Sequence, residues 1–223
     1  MAYGTIDHEY AMQMATTPPE SDGPVLMVNF MKYRQVAAYR DPDADPAGAV
    51  SGREADDRYA PTDVLARIGA RVVFVGDVID ADGAPDPVWD RMAIVHYPTR
   101  KSFIDMQSRP DFREKHVHKQ AGMEFTIVIA AMPTGGAGVA GEGDGAGIVR
   151  FVALPAGTGP TSVDEGALLH VEGRVIGDER NFDRLAVHFA DGGDDELAAM
   201  PGVIAVRTRV FIERLRDAID NWA

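Results

Sequence analysis

The chain has 223 residues, a formal net charge of -13 and a hydrophobic fraction of 45%. That length and apolar content can build a sizeable core, in one large domain or two small ones, and the absence of cysteine excludes disulfides, thiolate nucleophiles and Cys-ligated metals. Acidic residues are spread evenly, 20 against 14 bases up to residue 134 and 15 against 8 beyond it, so a phosphate backbone would be repelled and nucleic acid is not expected as a partner. The longest uncharged apolar stretch, near Phe125–Met132, is far too short to cross a bilayer. The first ten residues lack the basic start and apolar run of a secretory signal, so a soluble, cytoplasmic chain is expected.

Residues 1–23 are polar and carry Pro18 and Pro19, which reads as an N-terminal arm or a short helix followed by a loop. Val25–Tyr33 is an apolar run of strand length. The Pro- and Asp-rich residues 40–48 form a loop. Ser51-Gly-Arg-Glu54 is a capping box that opens a helix running to about Ile68. Its inner stripe is Ala55, Tyr59, Val64, Leu65 and Ile68, and Pro61 must kink or restart it. Arg71–Asp80 and Trp89–Pro98 read as strands joined by a turn at 81–87. A second helix begins near Thr99, and Pro110 suits the first position of a new helical segment that ends at Gly122. Glu124–Met132 is a strand. The order β-α-β-β-α-β is the ferredoxin-like pattern.

Residues 133–147 are Gly-rich and read as a flexible linker. Gly136, Gly138 and Gly141 match G-x-G-x-x-G, but a dinucleotide site needs a helix N-terminus directly behind them, and more Gly and acid follow. Beyond the linker come a strand at Ile148–Leu154, one helical turn at Ser162–Glu165, a hairpin of Leu168–Gly177 and Phe182–Ala190, a short helix near Asp194–Ala199, a strand at Val203–Ile212 and a terminal helix to Trp222. The two hairpins echo each other. Residues 74–80 (FVGDVID) lead to Trp89-Asp90-Arg91, and residues 171–177 (VEGRVIG) lead to Phe182-Asp183-Arg184. Val149-Arg150-Phe151 likewise echoes Val28-Asn29-Phe30. The expected organisation is an arm (1–23), a ferredoxin-like module (24–133), the linker (134–147) and a shortened copy of the module (148–223).

Alternation sorts the strand residues by face. Met27, Asn29, Met31 and Tyr33 share one face of the first strand. Asp90, Met92, Ile94 and His96 share one face of the third, and Arg91, Ala93, Val95 and Tyr97 the other. Asn29 is a polar residue in an apolar run, so it either satisfies a buried partner or faces a ligand cavity. Tyr59 and Tyr97 suit hydrogen bonding to a substrate oxygen, or a place in the core with hydroxyls at the rim. His96, His116 and His118 have the pKa for proton transfer near neutrality. His116 and His118, two residues apart, do not share a helix face and make a poor metal clamp. Asp90–Arg91 and Asp183–Arg184 read as structural pairs at strand entrances. Arg150 stands where the first half has Asn29, so any working pocket is expected in the first half. No metal site and no cofactor motif is present.

Over residues 25–132 the chain resembles the DUF1330-type group of the dimeric α/β-barrel superfamily. The resemblance rests on LMVNFMKYR with Asn29, on Ser51-Gly-Arg-Glu-Ala, Tyr59 and Gly69-Ala-Arg-Val, and on Trp89-Asp90 and His96-Tyr97-Pro98. It continues through Phe103, Met106, Pro110-Asp-Phe112 and His118-Lys119-Gln-Ala-Gly. The resemblance implies an α+β fold in which two four-stranded antiparallel sheets pack as a barrel. This chain would supply both, as a monomer with an internal pseudo-dimer, or would form a homodimer. The two halves would shelter a shared hollow. The superfamily holds cofactor-free enzymes, haem enzymes and plain ligand binders, so fold does not choose the function. The expectation is a cofactor-independent isomerase, cyclase or oxygenase acting on a small apolar or aromatic metabolite. His118, by its family position, or His96 would move the proton, and Asn29, Tyr59, Tyr97, Met27 and Met31 would bind the substrate. The rivals are a non-catalytic binding or assembly protein, with a cavity lined by Met27, Met31, Phe30 and Phe74, and a haem-binding enzyme.

Overall fold

Strand alternation dictates the architecture. In the computed structural model, which describes residues 4–41, 49–80, 89–134, 147–159, 166–189 and 200–222, eight antiparallel strands from one chain close into a barrel. The strands are β2 (Val25–Tyr33), β3 (Arg71–Asp80), β4 (Arg91–Tyr97) and β5 (Met123–Pro133) from the first half. The second half supplies β6 (Ile148–Pro155), β7 (Ala167–Gly177), β8 (Phe182–His188) and β9 (Ile204–Glu213). Around the barrel they run β7-β5-β2-β4-β3-β9-β6-β8, and a β7–β8 pairing closes the ring. Within each half the order is fourth, first, third, second strand. The seams are β5 against β7 and β3 against β9.

The period of two then separates two environments. Leu26, Val28 and Phe30 of β2, Met92 and Ile94 of β4, and Val149, Phe151 and Ala153 of β6 point inward into one apolar cluster drawn from both halves. Phe74 and Phe151 meet edge to face across it at 4.8 Å, and Phe30, Phe74 and Phe151 are fully buried. The inward face is thus a packed core. Phe30 and Phe74, expected as cavity walls, are residues of this core. Phe30, Phe74, Phe151 and the branched side chains around them pack together where the expectation put an open space.

The outward face of the first half carries Met27, Asn29, Met31, Arg91, Ala93, Val95, Tyr97 and Val128. Helices α2 (Gly52–Arg58), α3 (Thr62–Arg67), α4 (Arg100–Ser108) and α5 (Pro110–Gly122) lie on this side. The expected helix over 52–68 is two helices, because Pro61 restarts the chain as the N-cap of α3. The capping box at Ser51 and Glu54 is complete. A last helix, α6 (Leu215–Asp220), buries Leu215, Ala218 and Ile219 against the barrel core.

Helices α2 and α5 meet without side chains between them. The Gly52 amide donates to the Arg34 carbonyl, and the Arg34 amide to the Gly122 carbonyl. A β-carbon on Gly52 would stand 2.4 Å from the Gly122 oxygen, and one on Gly122 would stand 2.3 Å from the Gly52 oxygen. Only glycine permits this approach at either position.

Residues 5–16 supply a short strand and the expected short helix. β1 (Thr5–Ile6) pairs with β7 of the second half. Helix α1 (His8–Thr16), capped by Asp7, buries Tyr10 and Met14. The Tyr10 ring lies flat on Gly173, and its hydroxyl donates to Glu172 at 2.7 Å. Arg100 of α4 also donates to both Glu172 oxygens, so a partly buried ion pair ties α1, α4 and β7 together. Burial raises the Glu172 pKa, but the Arg100 and Tyr10 hydrogen bonds outweigh it and hold the carboxylate below its ordinary range.

The aspartates of the echoed Asp-Arg pairs perform one structural task in both halves. Asp90 accepts from the Tyr33 amide at the end of β2 at 2.7 Å, and Asp183 accepts from the Gly157 amide just past β6 at 3.3 Å. Each pins the end of its half's first strand to the start of its third. The turn at 81–87, the glycines 136, 138 and 141, the turn at Ser162–Glu165 and the helix at Asp194–Ala199 lie outside the described residues. No helix among the described residues is long and apolar enough to cross a membrane.

Candidate functional site

A cleft of about 610 Å³ opens between the outward face of the first-half sheet and helices α2 to α5. Its walls are chiefly apolar. They include Met27, Met31, Val95 and Val128 from the sheet, and Leu65, Phe103, Met106 and Phe112 from the helices. A pocket of this size and composition, with a few convergent polar groups, is the usual form of a small-molecule site.

The polar groups converge on Asn29. Its amide nitrogen donates to the Met27 and Ala93 carbonyls at 3.1 and 3.3 Å. Those bonds fix which way the amide faces. Its oxygen is left to accept from the Lys119 ammonium at 3.2 Å. The Lys119 nitrogen also sits 5.3 Å from the centre of the Tyr59 ring, within reach of a cation–π attraction. Burial holds the Lys119 pKa below its ordinary value, with the charge of Asp56 pulling the other way. Taking an ammonium from water disfavours its charged form.

His116 lies one turn before Lys119 on α5 and also lines the cleft. Its ring stacks on Phe112 at 5.0 Å and lies 6.0 Å from Tyr59. Burial, with the Lys119 charge nearby, pushes its pKa down to about 4. The imidazole is therefore neutral at physiological pH and able to accept a proton.

At the other end, Asp56 accepts from the Tyr33 hydroxyl at 2.6 Å. It also pairs with Arg91, 3.3 Å away, and Arg91 reaches Asp57 at 2.9 Å as well. Arg91 and Arg53 both bond Asp77. Burial raises the Asp77 pKa, but those two guanidinium groups outweigh it and hold the group below its ordinary value. The network fixes α2 against β3 and β4 and leaves Asp56 and Asp57 already paired.

The expected site residues divide. Asn29, Tyr59, Tyr97, Met27 and Met31 all line this one cleft. Tyr97 is buried, its hydroxyl 3.8 Å from the Met106 sulfur, and that burial raises its pKa. The two expected catalytic histidines are elsewhere. His118 turns to the other flank of α5, where Nδ1 meets the Tyr39 hydroxyl at 2.8 Å. Burial and then the Arg58 charge lower its pKa. His96 faces away from the helices. It packs edge-on against Trp222 at 5.4 Å, with Nδ1 buried and without a hydrogen-bond partner, and burial followed by Arg71 lowers its pKa. Strand alternation alone puts His96 on the opposite face from Tyr97, and helical periodicity puts His118 off the Phe112–His116–Lys119 stripe.

Lys119 and His116 line the cleft but were not among the expected site residues; His116 was weighed for proton transfer and Lys119 was not. The signal was available: Phe112, His116 and Lys119 fall at i, i+4 and i+7, one helix face. Among the described residues, no cluster of three or more His, Asp or Glu is arranged to hold a metal ion.

No family model and no curated protein matches this chain. Solved structures do, and two of them are of one protein. The methylated RPA0582 protein is 32% identical, with a TM-score of 0.48, over 57% of this chain and 93% of its own. The RPA0582 protein of Rhodopseudomonas palustris, described as a protein of unknown function, is 30% identical with a TM-score of 0.48, over 58% of this chain and 95% of its own.

Proposed function

We propose that the chain is a cofactor-independent enzyme of the isomerase, cyclase or oxygenase type that moves a proton on a small, largely apolar or aromatic molecule. The carrying observation is the Lys119–Asn29 pair set in an apolar cleft. The substrate's oxygen function sits at this pair, and its apolar body lies against Phe103, Met106 and Phe112. His116, one turn away from Lys119, takes the proton from an adjacent carbon. Lys119 offsets the negative charge that then develops on oxygen, the kind of aimed electrostatic help that contributes most in a site sheltered from water. Tyr59 and Tyr97 shape the walls.

The chain is further proposed to be a tandem pair of ferredoxin-like modules related to the DUF1330-type group. The strand order repeated in each half supports this, as do the matching duties of Asp90 and Asp183. In register, Asn29 and Arg150 both turn outward between inward Val and Phe neighbours. Only the first-half copy carries the amide–ammonium pair.

A test needs an aromatic substrate with a carbon-bound proton to lose. Phenylpyruvate in heavy water provides one, and its methylene exchange can be followed by proton NMR. Wild-type protein is expected to accelerate exchange over buffer, and His116→Gln to lose the acceleration. Binding without acceleration would favour the second reading, a non-catalytic binding protein. The weak basicity of His116 is the observation on that side.

A further inference from the structure

We propose that the natural occupant of the cleft carries a carboxylate, which seats on Lys119 as the missing counter-ion of that ammonium. The inference rests on the reading of the cleft as a small-molecule site and names the ligand's charged end.

Two observations lead there. First, among the described residues no carboxylate lies within ion-pair distance of the Lys119 nitrogen. Its partners are a neutral amide oxygen and an aromatic face. Even a partly buried charge without a counter-charge is costly, and Lys119 lines a space open to a guest. Second, the nearby carboxylates are committed. Asp56 is held by Tyr33 and Arg91, and Asp57 by Arg91. Neither can swing to Lys119 without breaking bonds already made.

The Asn29 amide sharpens the preference. Both of its hydrogens are taken by backbone carbonyls, so Asn29 itself has no donor left for a ligand. At this point of the cleft the donors are the remaining hydrogens of the Lys119 ammonium. A carboxylate has the lone pairs to accept from a pair of them, whereas a neutral amide accepts weakly and leaves its own hydrogens unmatched.

Titration calorimetry of 3-phenylpropanoate and 3-phenylpropanamide, two probes of one shape, tests the inference on the full chain. The carboxylate is expected to bind at least about tenfold more tightly, as charge-assisted hydrogen bonds allow. Lys119→Met, which keeps the volume and removes the charge, is expected to abolish that preference while still binding the amide. Equal affinity of the two probes for wild-type protein overturns the carboxylate assignment and leaves the cleft standing as a binding site. So does a preference that survives in Lys119→Met. Failure of both probes to bind wild-type protein overturns the assignment and the reading of the cleft together.

Discussion

Placing alanine at Gly52 tests whether α2 is seated by backbone contact. In an ordinary helix, replacing Gly by Ala stabilises by about 1 kcal/mol, because Ala loses less backbone freedom on folding. Here the added carbon would meet the Gly122 oxygen at 2.4 Å, the Arg34 oxygen at 2.6 Å and the Arg34 nitrogen at 2.7 Å. All three are backbone atoms, so no side chain can rotate away. Relief to the 3.0 Å that real contacts respect requires α2 to move by about 0.6 Å, and forcing extra carbon into a packed contact costs about 1–3 kcal/mol. The hydrogen bond from the Gly52 amide to Arg34 is at risk in the same movement. Losing that hydrogen bond, at about 1 kcal/mol, cancels the propensity gain, so the net expectation is a loss of about 1–3 kcal/mol, read by urea denaturation as a lower midpoint at unchanged slope. Because α2 carries Asp56 and ends at Tyr59, the affinity for 3-phenylpropanoate is expected to fall too. A variant as stable as wild type, or more stable, would refute the claim that the two helices touch through their glycines.

Three further outcomes follow from the geometry. His116 ionises near 4 in the fold and near 6.5 when unfolded, so the unfolded chain binds the proton first, and stability falls by about 3 kcal/mol as pH drops through that window. His116→Gln should flatten this part of the stability–pH curve, and denaturation midpoints at pH 7, 5.5 and 4 that keep the wild-type slope would contradict the burial of the ring. Glu172→Gln leaves the Arg100 guanidinium with only the Asp22 carboxylate, 3.6 Å away, and the loss of its charge-assisted hydrogen bonds should cost about 2 kcal/mol, with earlier proteolysis near α1; a change within about 0.5 kcal/mol, the usual range for surface substitutions, would show that the pair does not anchor that helix. His118→Ala should leave the affinity for 3-phenylpropanoate unchanged, since the ring points to Tyr39, and a large loss would return His118 to the site.

The elements were legible where local chemistry is strong. The Ser51 capping box, Pro61 as a restart and Pro110 at the first turn of α5 follow from side-chain and ring geometry within a few residues, and the structure places them so. The strands followed from apolar runs bounded by turn residues. Which face of the sheet would hold the cavity was not legible. Leu26, Val28 and Phe30 differ little in polarity from Met27 and Met31, so alternation separates two faces without saying which one meets the helices. The same ambiguity misplaced Phe30 and Phe74. Asn29 was found because an amide inside an apolar strand needs a reason. Lys119 escaped because a lysine near the end of a polar helix reads as a solvated charge, and only the packing of α5 on β2 brings its nitrogen to Asn29.

The central claim, that the cleft over the first-half sheet receives the ligand and the barrel interior does not, is tested most directly with methionine methyl groups as reporters. Met27, Met31 and Met106 line the cleft, while Met92 is buried in the barrel core. In a carbon-13 methyl NMR titration with 3-phenylpropanoate, the signals of Met27, Met31 and Met106 should shift with saturation while that of Met92 stays fixed. A shift dominated by Met92, with the three cleft signals still, would place the guest inside the barrel and contradict the account.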